Sequence, residues 1–97
     1  MWFVYVLRCK DRSLYTGVTT DAQRRLAEHN DGRGARYTRS RGPVELVYLE
    51  KATDRGAALK RESEIKRMST VGKRALVARA NIFTRRKRAA RRATRGF

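Results

Sequence analysis

The sequence predicts one small domain that combines β-strands with α-helices. Segments rich in aromatic and β-branched residues predict strands at residues 2–7, 14–19 and 44–49. Segments that begin with capping residues and carry apolar side chains at helical spacing predict helices near residues 22–30 and 55–68. A third helical piece is expected to begin at Ser69 or Thr70. A chain of 97 residues has room for a single modest core.

The first two predicted strands are separated by a polar connector of hairpin length, Lys10–Ser13. A register that pairs Tyr5 with Gly17, and Leu7 with Tyr15, would place both tyrosine rings on one face of the hairpin. Gly17 inside a strand indicates a close backbone approach or a bulge. The alternative is that both tyrosines serve only in packing, with their hydroxyls in water.

The first predicted helix is capped by Thr20 or Asp21, and Leu26 marks its buried face. Arg25 and His29 share one face because they are four residues apart. Arg25 could hold a phosphate through two parallel N–H bonds, and His29 could accept or relay a proton near neutral pH. The alternative is a solvated basic face with a histidine that has no chemical role.

A glycine-containing turn at residues 30–34 is expected to end this helix, and residues 35–42 are expected to form a basic loop before Pro43 starts the third strand. Thr53 or Asp54 can cap the second helix.

Glu62 lies on this otherwise basic second helix. A carboxylate near a phosphate site is repulsive unless a cation lies between them, and Mg²⁺ suits that position because it takes one or two carboxylates and keeps several waters. Glu64 points about 200° around the helix from Glu62. The alternative is that Glu62 only pairs with its basic neighbours.

The charge of the chain is +16 and is unevenly distributed. Residues 1–64 carry 13 Lys/Arg against 9 Asp/Glu, which leaves +4, whereas residues 65–97 carry 12 Lys/Arg and no acid, which gives +12. Such a surface favours nucleic acid, because each neutralised phosphate releases condensed counterion. A membrane partner is disfavoured, because residues 84–97 lack a large apolar face. That tail is expected to order only on a polyanion.

Other classes of protein and site are excluded by composition. Cys9 is the one cysteine, so neither an internal disulfide nor a thiolate zinc site can form. The apolar run at residues 2–7 is too short to span a membrane and lacks the charged start of a signal peptide. We therefore expect a cytoplasmic, nucleoid-associated protein with no small-molecule cofactor.

The order and spacing of these residues resemble the GIY-YIG nuclease family, particularly its small stand-alone bacterial members, over about residues 2–80. Phe3-Val4-Tyr5 resembles the first motif but lacks its glycine, and Tyr15-Thr16-Gly17 keeps the tyrosine and glycine of the second. Residues 35–38 and 41–43 also resemble the stand-alone members. The family's arginine, histidine and metal-binding glutamate match Arg25, His29 and Glu62.

The resemblance implies an α/β (α+β) domain with a three-stranded antiparallel sheet flanked by helices, at residues 1–81, followed by a basic tail at 82–97. It implies a metal-dependent endonuclease that hydrolyses phosphodiester bonds in DNA, structure-selective or weakly selective, with one Mg²⁺ or Mn²⁺. The implied roles are general base for Tyr5, support of the nucleophile or phosphate for Tyr15, charge stabilisation for Arg25, proton transfer for His29 and metal anchoring for Glu62. As a base, Tyr5 needs nearby cations to lower its pKa.

The basic surface is expected to contact phosphates rather than bases. Lys66 or Tyr37 could also complete the catalytic site. Two alternatives are an inactive nucleic-acid-binding module on the same fold and an accessory protein of structured RNA. The expected nucleic-acid contacts are Arg36, Tyr37, Arg39, Arg41, Lys66, Arg85, Arg86, Lys87 and Arg88.

Overall fold

The computed structural model describes residues 1–80, which form an α/β domain. The predicted tail at residues 82–97, with Arg85, Arg86, Lys87 and Arg88, lies outside the described residues. Residues 70–80 are helical and are called α4 here. The other elements in chain order are β1 (Trp2–Arg8), β2 (Leu14–Thr19), α1 (Ala22–Asn30), α2 (Arg36–Arg39), β3 (Glu45–Ala52) and α3 (Arg55–Lys66).

The three strands form one antiparallel sheet in the order β2-β1-β3, as predicted. The predicted hairpin register is confirmed, since Tyr5 pairs with Gly17 and Leu7 pairs with Tyr15. β1 is the central strand, and its middle four residues are buried. β2 is an edge strand within the described sheet, so one long side of it has no strand beside it.

The two faces of the sheet are covered by different helices. On one face, Val4 and Val6 pack in a cluster with Ala58 and Ile65 of α3, and with a buried valine of α4. On the other face, Tyr5 and Leu7 belong to a second cluster, against which residues from α1 are packed. The division follows from the alternation of side chains along β1, and it assigns the tyrosine site to the α1 side.

Side-chain caps begin α1 and α3. The Asp21 carboxylate accepts from the backbone N–H of Arg24 at 3.1 Å, and the Asp54 carboxylate accepts from the N–H of Ala57 at 2.8 Å. Of the two predicted candidates for each cap, the structure therefore uses the aspartate. Gly32, just beyond α1, has φ 77°, as expected for a residue after a helix end.

Three sequence-based boundaries are wrong. The predicted loop at residues 35–42 contains the short helix α2, in which the N–H groups of Thr38 and Arg39 donate to the Ala35 carbonyl. β3 begins at Glu45 rather than residue 44, because the Val44 backbone bonds instead to the Asn30 side chain, and it runs on to residue 52. α3 ends at residue 66 rather than 68, where its backbone tightens into a turn.

Within residues 1–80, no helix is both long and apolar enough to cross a bilayer.

Candidate active site

The hydroxyl of Tyr5 lies at the centre of a buried hydrogen-bond network. It is 3.0 Å from His29 Nε2, and Arg25 Nε donates to it at 3.4 Å. Tyr5 and His29 are each only 2% exposed. Two residues of α1 thus contact a β1 tyrosine from one helical turn, which confirms that Arg25 and His29 share a face.

Thr38 fixes the proton positions in this network. Its hydroxyl donates to the Ala35 carbonyl at 2.9 Å, and its Oγ1 is 2.7 Å from His29 Nδ1. Because the hydroxyl proton is committed to Ala35, Thr38 Oγ1 accepts from Nδ1–H. His29 Nε2 then carries no proton, so it accepts a hydrogen bond from the hydroxyl of Tyr5. The direction of the network therefore runs from Tyr5 through His29 to Thr38.

Two glycines leave the space that these rings occupy. A Cβ atom on Gly17 would lie 2.5 Å from the Tyr5 hydroxyl oxygen, and one on Gly34 would lie 2.3 Å from His29 Nδ1. Any larger residue at either position would displace a ring of the network. The sequence-based expectation of a close approach at Gly17 is explained by Tyr5, its partner across the hairpin.

Tyr15 extends the aromatic cluster toward the surface. Its ring centroid is 6.4 Å from that of Tyr5 and 5.3 Å from that of His29. Its other neighbour is Tyr37 of α2, which is stacked at a centroid distance of 6.0 Å. Both predicted tyrosines thus lie on the face that also holds the histidine and Arg25.

Burial keeps Tyr5 and His29 neutral near pH 7. Desolvation raises the pKa of Tyr5 above its ordinary value, and this outweighs the lowering by the Arg25 hydrogen bond and charge. Arg25 thus lowers this pKa, as a Tyr5 base requires, but desolvation of the enclosed ring raises it by more. Desolvation, helped by the Arg25 charge, lowers the pKa of His29.

Glu62 lies on α3, between the buried residues Ala58 and Ile65, and its side chain is only 19% exposed. Its carboxylate lies close enough to Tyr5 for its charge to contribute to the raised pKa of that phenol. α3 covers the opposite face of the sheet from the Tyr5 ring.

The Glu62 carboxylate is a chemically suitable ligand for a hard divalent cation. Its ion pair within residues 1–80 is with Lys66 Nζ at 3.4 Å, on a partly exposed side chain, and such pairs contribute only about 0–1 kcal/mol. Residues 1–80 contain no cluster of three or more His, Cys, Asp or Glu residues that could hold a metal ion. One carboxylate with water and phosphate oxygens nevertheless fits Mg²⁺, which seldom has an all-protein cage.

Of the expected nucleic-acid contacts, Tyr37 and Arg41 are bound to each other. The Arg41 guanidinium lies 4.0 Å from the centroid of the Tyr37 ring and donates to its carbonyl at 2.9 Å. Arg36 and Arg39 are exposed on the same short helix. Lys66 lies on α3 at the Glu62 carboxylate.

Sequence reasoning assigned no role to Thr38 or Gly34. Thr38 is fully buried inside a segment expected to be an exposed basic loop. Asn30 was likewise missed, although its side chain bonds the backbone of Val44 at both N–H and C=O and so ties α1 to the start of β3. A threonine among four basic or aromatic residues at positions 36–41 was the one signal in the sequence.

The network predicts that folding stability falls with acid below about pH 6.5, the ordinary pKa of histidine. The folded protein resists protonation of His29, so the unfolded chain binds more protons as the pH falls from that value to the lowered folded pKa. Urea unfolding of wild type and His29→Gln, at about pH 7.5 and pH 5, measures this. Wild type should lose more stability than the variant. Equal losses of stability in wild type and variant would show that protonation of His29 does not destabilise the folded protein.

Comparisons with known proteins agree with this architecture. The family model described as the GIY-YIG catalytic domain matches residues 1–74. A UPF0213 protein of Desulfotalea psychrophila is 57% identical over 77 residues, which cover 78% of this chain and 70% of that relative. A UPF0213 protein of Natronomonas pharaonis is 55% identical over 76 residues, which cover 78% of this chain and 89% of the relative.

A solved structure is also similar. The solution NMR structure of a UPF0213 protein from Bacillus halodurans superimposes with a TM-score of 0.53 at 46% sequence identity. The match covers 80% of this chain and 84% of that one. The names of these relatives state no activity.

Proposed function

Because the chain belongs to the GIY-YIG family, a family of nuclease type, we propose that it is a metal-dependent endonuclease that hydrolyses phosphodiester bonds in DNA. The observation that carries this proposal is the Tyr5 hydroxyl, which donates to a neutral His29 and accepts from Arg25. A noncatalytic DNA-binding module needs a basic surface, but it has no need of a buried phenol aligned for proton transfer.

In the proposed reaction, Tyr5 takes a proton from the attacking water while its own proton moves to His29 Nε2. This transfer needs no standing tyrosinate, which is why a raised phenol pKa is compatible with it. Thr38 accepts from Nδ1–H throughout and so stabilises the imidazolium that forms.

Arg25 and Tyr15 act on the phosphate. Arg25 is partly exposed, and its ion pair with Glu28 is 3.5 Å long. Its guanidinium can therefore exchange this partner for phosphate oxygens and stabilise charge that grows on them. Tyr15 lies between the buried rings and the surface, and supports the phosphate at that border.

Glu62 is the residue that would hold Mg²⁺ or Mn²⁺, which when bound neutralises charge on the leaving oxygen. The same carboxylate is paired with Lys66, so that ion pair would give way to the cation. The exposed cations Arg36 and Arg39 would contact flanking phosphates without reading the base sequence. Structure-selective or weakly selective cutting follows from contacts of this kind.

The proposal is tested by nicking of supercoiled plasmid and of branched DNA, with Mg²⁺ and with chelator, beside Glu62→Ala. Wild type should cut only with metal, and the variant should bind equally but not cut. If both proteins bind and neither cuts any substrate, the chain is a binding module.

Replacing Thr38 with valine is expected to slow single-turnover cleavage by about tenfold or more. The change keeps the shape of the side chain but leaves the buried His29 Nδ1–H without an acceptor, which costs about 1–3 kcal/mol. Thr38→Ser, which restores the hydroxyl, should recover most of the rate and the wild-type pH–rate profile. If the valine variant cleaves DNA as fast as wild type, the Thr38 hydroxyl does not contribute to the proposed proton path.

A further inference from the structure

A basic cleft lies beside the aromatic cluster, between the β1–β2 turn and α4. It consists of two adjoining cavities of about 390 and 310 Å³ that share Arg12, Leu14 and Arg74. The first is also lined by Lys73 and Tyr37. The second has an apolar wall from α4 and a further arginine from β1. None of the residues given a part in the proposed reaction lines either cavity.

Three cations of this cleft are uncompensated, whereas the fourth, Arg8, is paired with Glu45 at 3.2 Å. Within residues 1–80, no ion pair or side-chain hydrogen bond involves Arg12, Lys73 or Arg74. The one acidic residue on the lining, Asp11, is already paired with Arg41 at 3.2 Å. Three cations concentrated around a small concave surface make a site for a polyanion.

The backbone of the β1–β2 turn holds one of these cations in an unusual conformation. Arg12 has φ 70°, a region that residues with a Cβ atom seldom adopt. The turn is fastened by hydrogen bonds between the backbones of Cys9 and Ser13 and of Arg12 and Cys9, each 2.9 Å long. The arginine is therefore held on the lining of both cavities by a fixed turn.

The cleft is continuous with the aromatic cluster through one ring. Tyr37, which lines the first cavity, is stacked on Tyr15, and Tyr15 contacts the rings of Tyr5 and His29. Leu14, on the cleft floor, is the neighbour of Tyr15 on β2. A strand that leaves the active site along the free edge of β2 would thus enter the cleft.

We propose that this cleft binds the sugar–phosphate backbone of a single-stranded DNA segment that flanks the scissile bond. The inference rests on the proposed function, and it assigns a subsite to Arg12, Lys73 and Arg74. Cavities of this volume hold a molecule of drug size, which corresponds to one or two nucleotides of one strand. The leucine floor suits a sugar, and the cations suit phosphates.

The test is binding of short fluorescent oligothymidylate by the full chain in chelator, across a salt series. Lys73→Gln/Arg74→Gln removes two cleft cations, and Lys51→Gln/Lys60→Gln removes two exposed cations elsewhere. The cleft variant should bind more weakly, and its salt slope should fall by about 1.4, since each single-strand phosphate contact contributes about 0.7. Equal changes in both variants, unchanged slopes, or no binding by wild type would overturn the proposal.

A second measurement distinguishes a subsite for single-stranded DNA from a general electrostatic attraction to any DNA. Wild type should bind a duplex with a single-stranded arm more tightly than the blunt duplex, and the cleft variant should lose this preference. An equal loss of affinity for both DNAs would overturn the proposal. Because these assays contain no metal, they succeed or fail independently of cleavage. If wild type cuts DNA and the cleft variant binds DNA as tightly as wild type does, the proposed subsite is wrong but the proposed nuclease function stands.

Discussion

Replacing Tyr5 with phenylalanine is expected to reduce single-turnover DNA cleavage by about 100-fold or more, the usual contribution of a general acid–base group. The variant keeps the ring that packs with Leu7, but it loses the hydroxyl that contacts His29 and Arg25. Neither remaining partner can replace it, because Arg25 stays protonated and the proposed proton path to the buried His29 runs through that hydroxyl. Rapid-quench measurement with excess protein isolates this chemical step from product release.

Tyr48→Phe is the matched control for this change. Tyr48 also donates its hydroxyl, but to Glu50 at 2.6 Å, and it packs on the opposite side of the sheet from the Tyr5 cluster. It should cleave at nearly the wild-type rate. If Tyr5→Phe cleaves as fast as wild type, the proton path through His29 is wrong, whatever group activates the water.

Replacing Glu62 with glutamine is expected to lower cleavage by roughly 100-fold at a fixed Mg²⁺ concentration, because the ligand loses its charge. DNA binding in chelator should not weaken, since the change removes a negative charge from a cationic surface. The fold should also survive, because the ion pair with Lys66 is partly exposed. Raising the Mn²⁺ concentration should recover part of the rate, which indicates weakened metal binding rather than a lost proton path.

Glu64→Gln is the control for Glu62→Gln. It removes the same charge from the same helix, but Glu64 is more exposed and its partner is Arg61 at 3.1 Å. Its metal dependence should match that of wild type. A parallel loss of activity in both variants would mean that α3 carries a general electrostatic effect and that Glu62 has no special role.

The features that depend on the regular spacing of side chains within one strand or helix were predictable from the sequence. The alternation of side chains in the first two strands fixed the register that brings Tyr5 over Gly17. The four-residue spacing of Arg25 and His29 placed both on one side of α1. Each of these depends only on the geometry of one element or one hairpin.

The parts that depend on packing between distant segments were not predictable. α2 is only four residues long, so it has no apolar repeat, and Thr38 becomes buried only because His29 lies against it. Arg25 lowers the pKa of Tyr5, as a Tyr5 base requires, but enclosure of the ring by other segments raises it by more. The need for glycine at position 34 likewise arises from the histidine ring of another segment.

The most direct test of the proposed active site is a crystal structure of Tyr5→Phe with Mn²⁺ and a short branched oligonucleotide, in which anomalous scattering locates the metal. We expect the ion at about 2.1 Å from a Glu62 carboxylate oxygen, the typical distance for a small hard cation. A phosphate should lie between that ion and Arg25, on the open edge of β2. A metal bound away from Glu62, or DNA bound on a surface remote from Tyr5 and Arg25, would contradict the account.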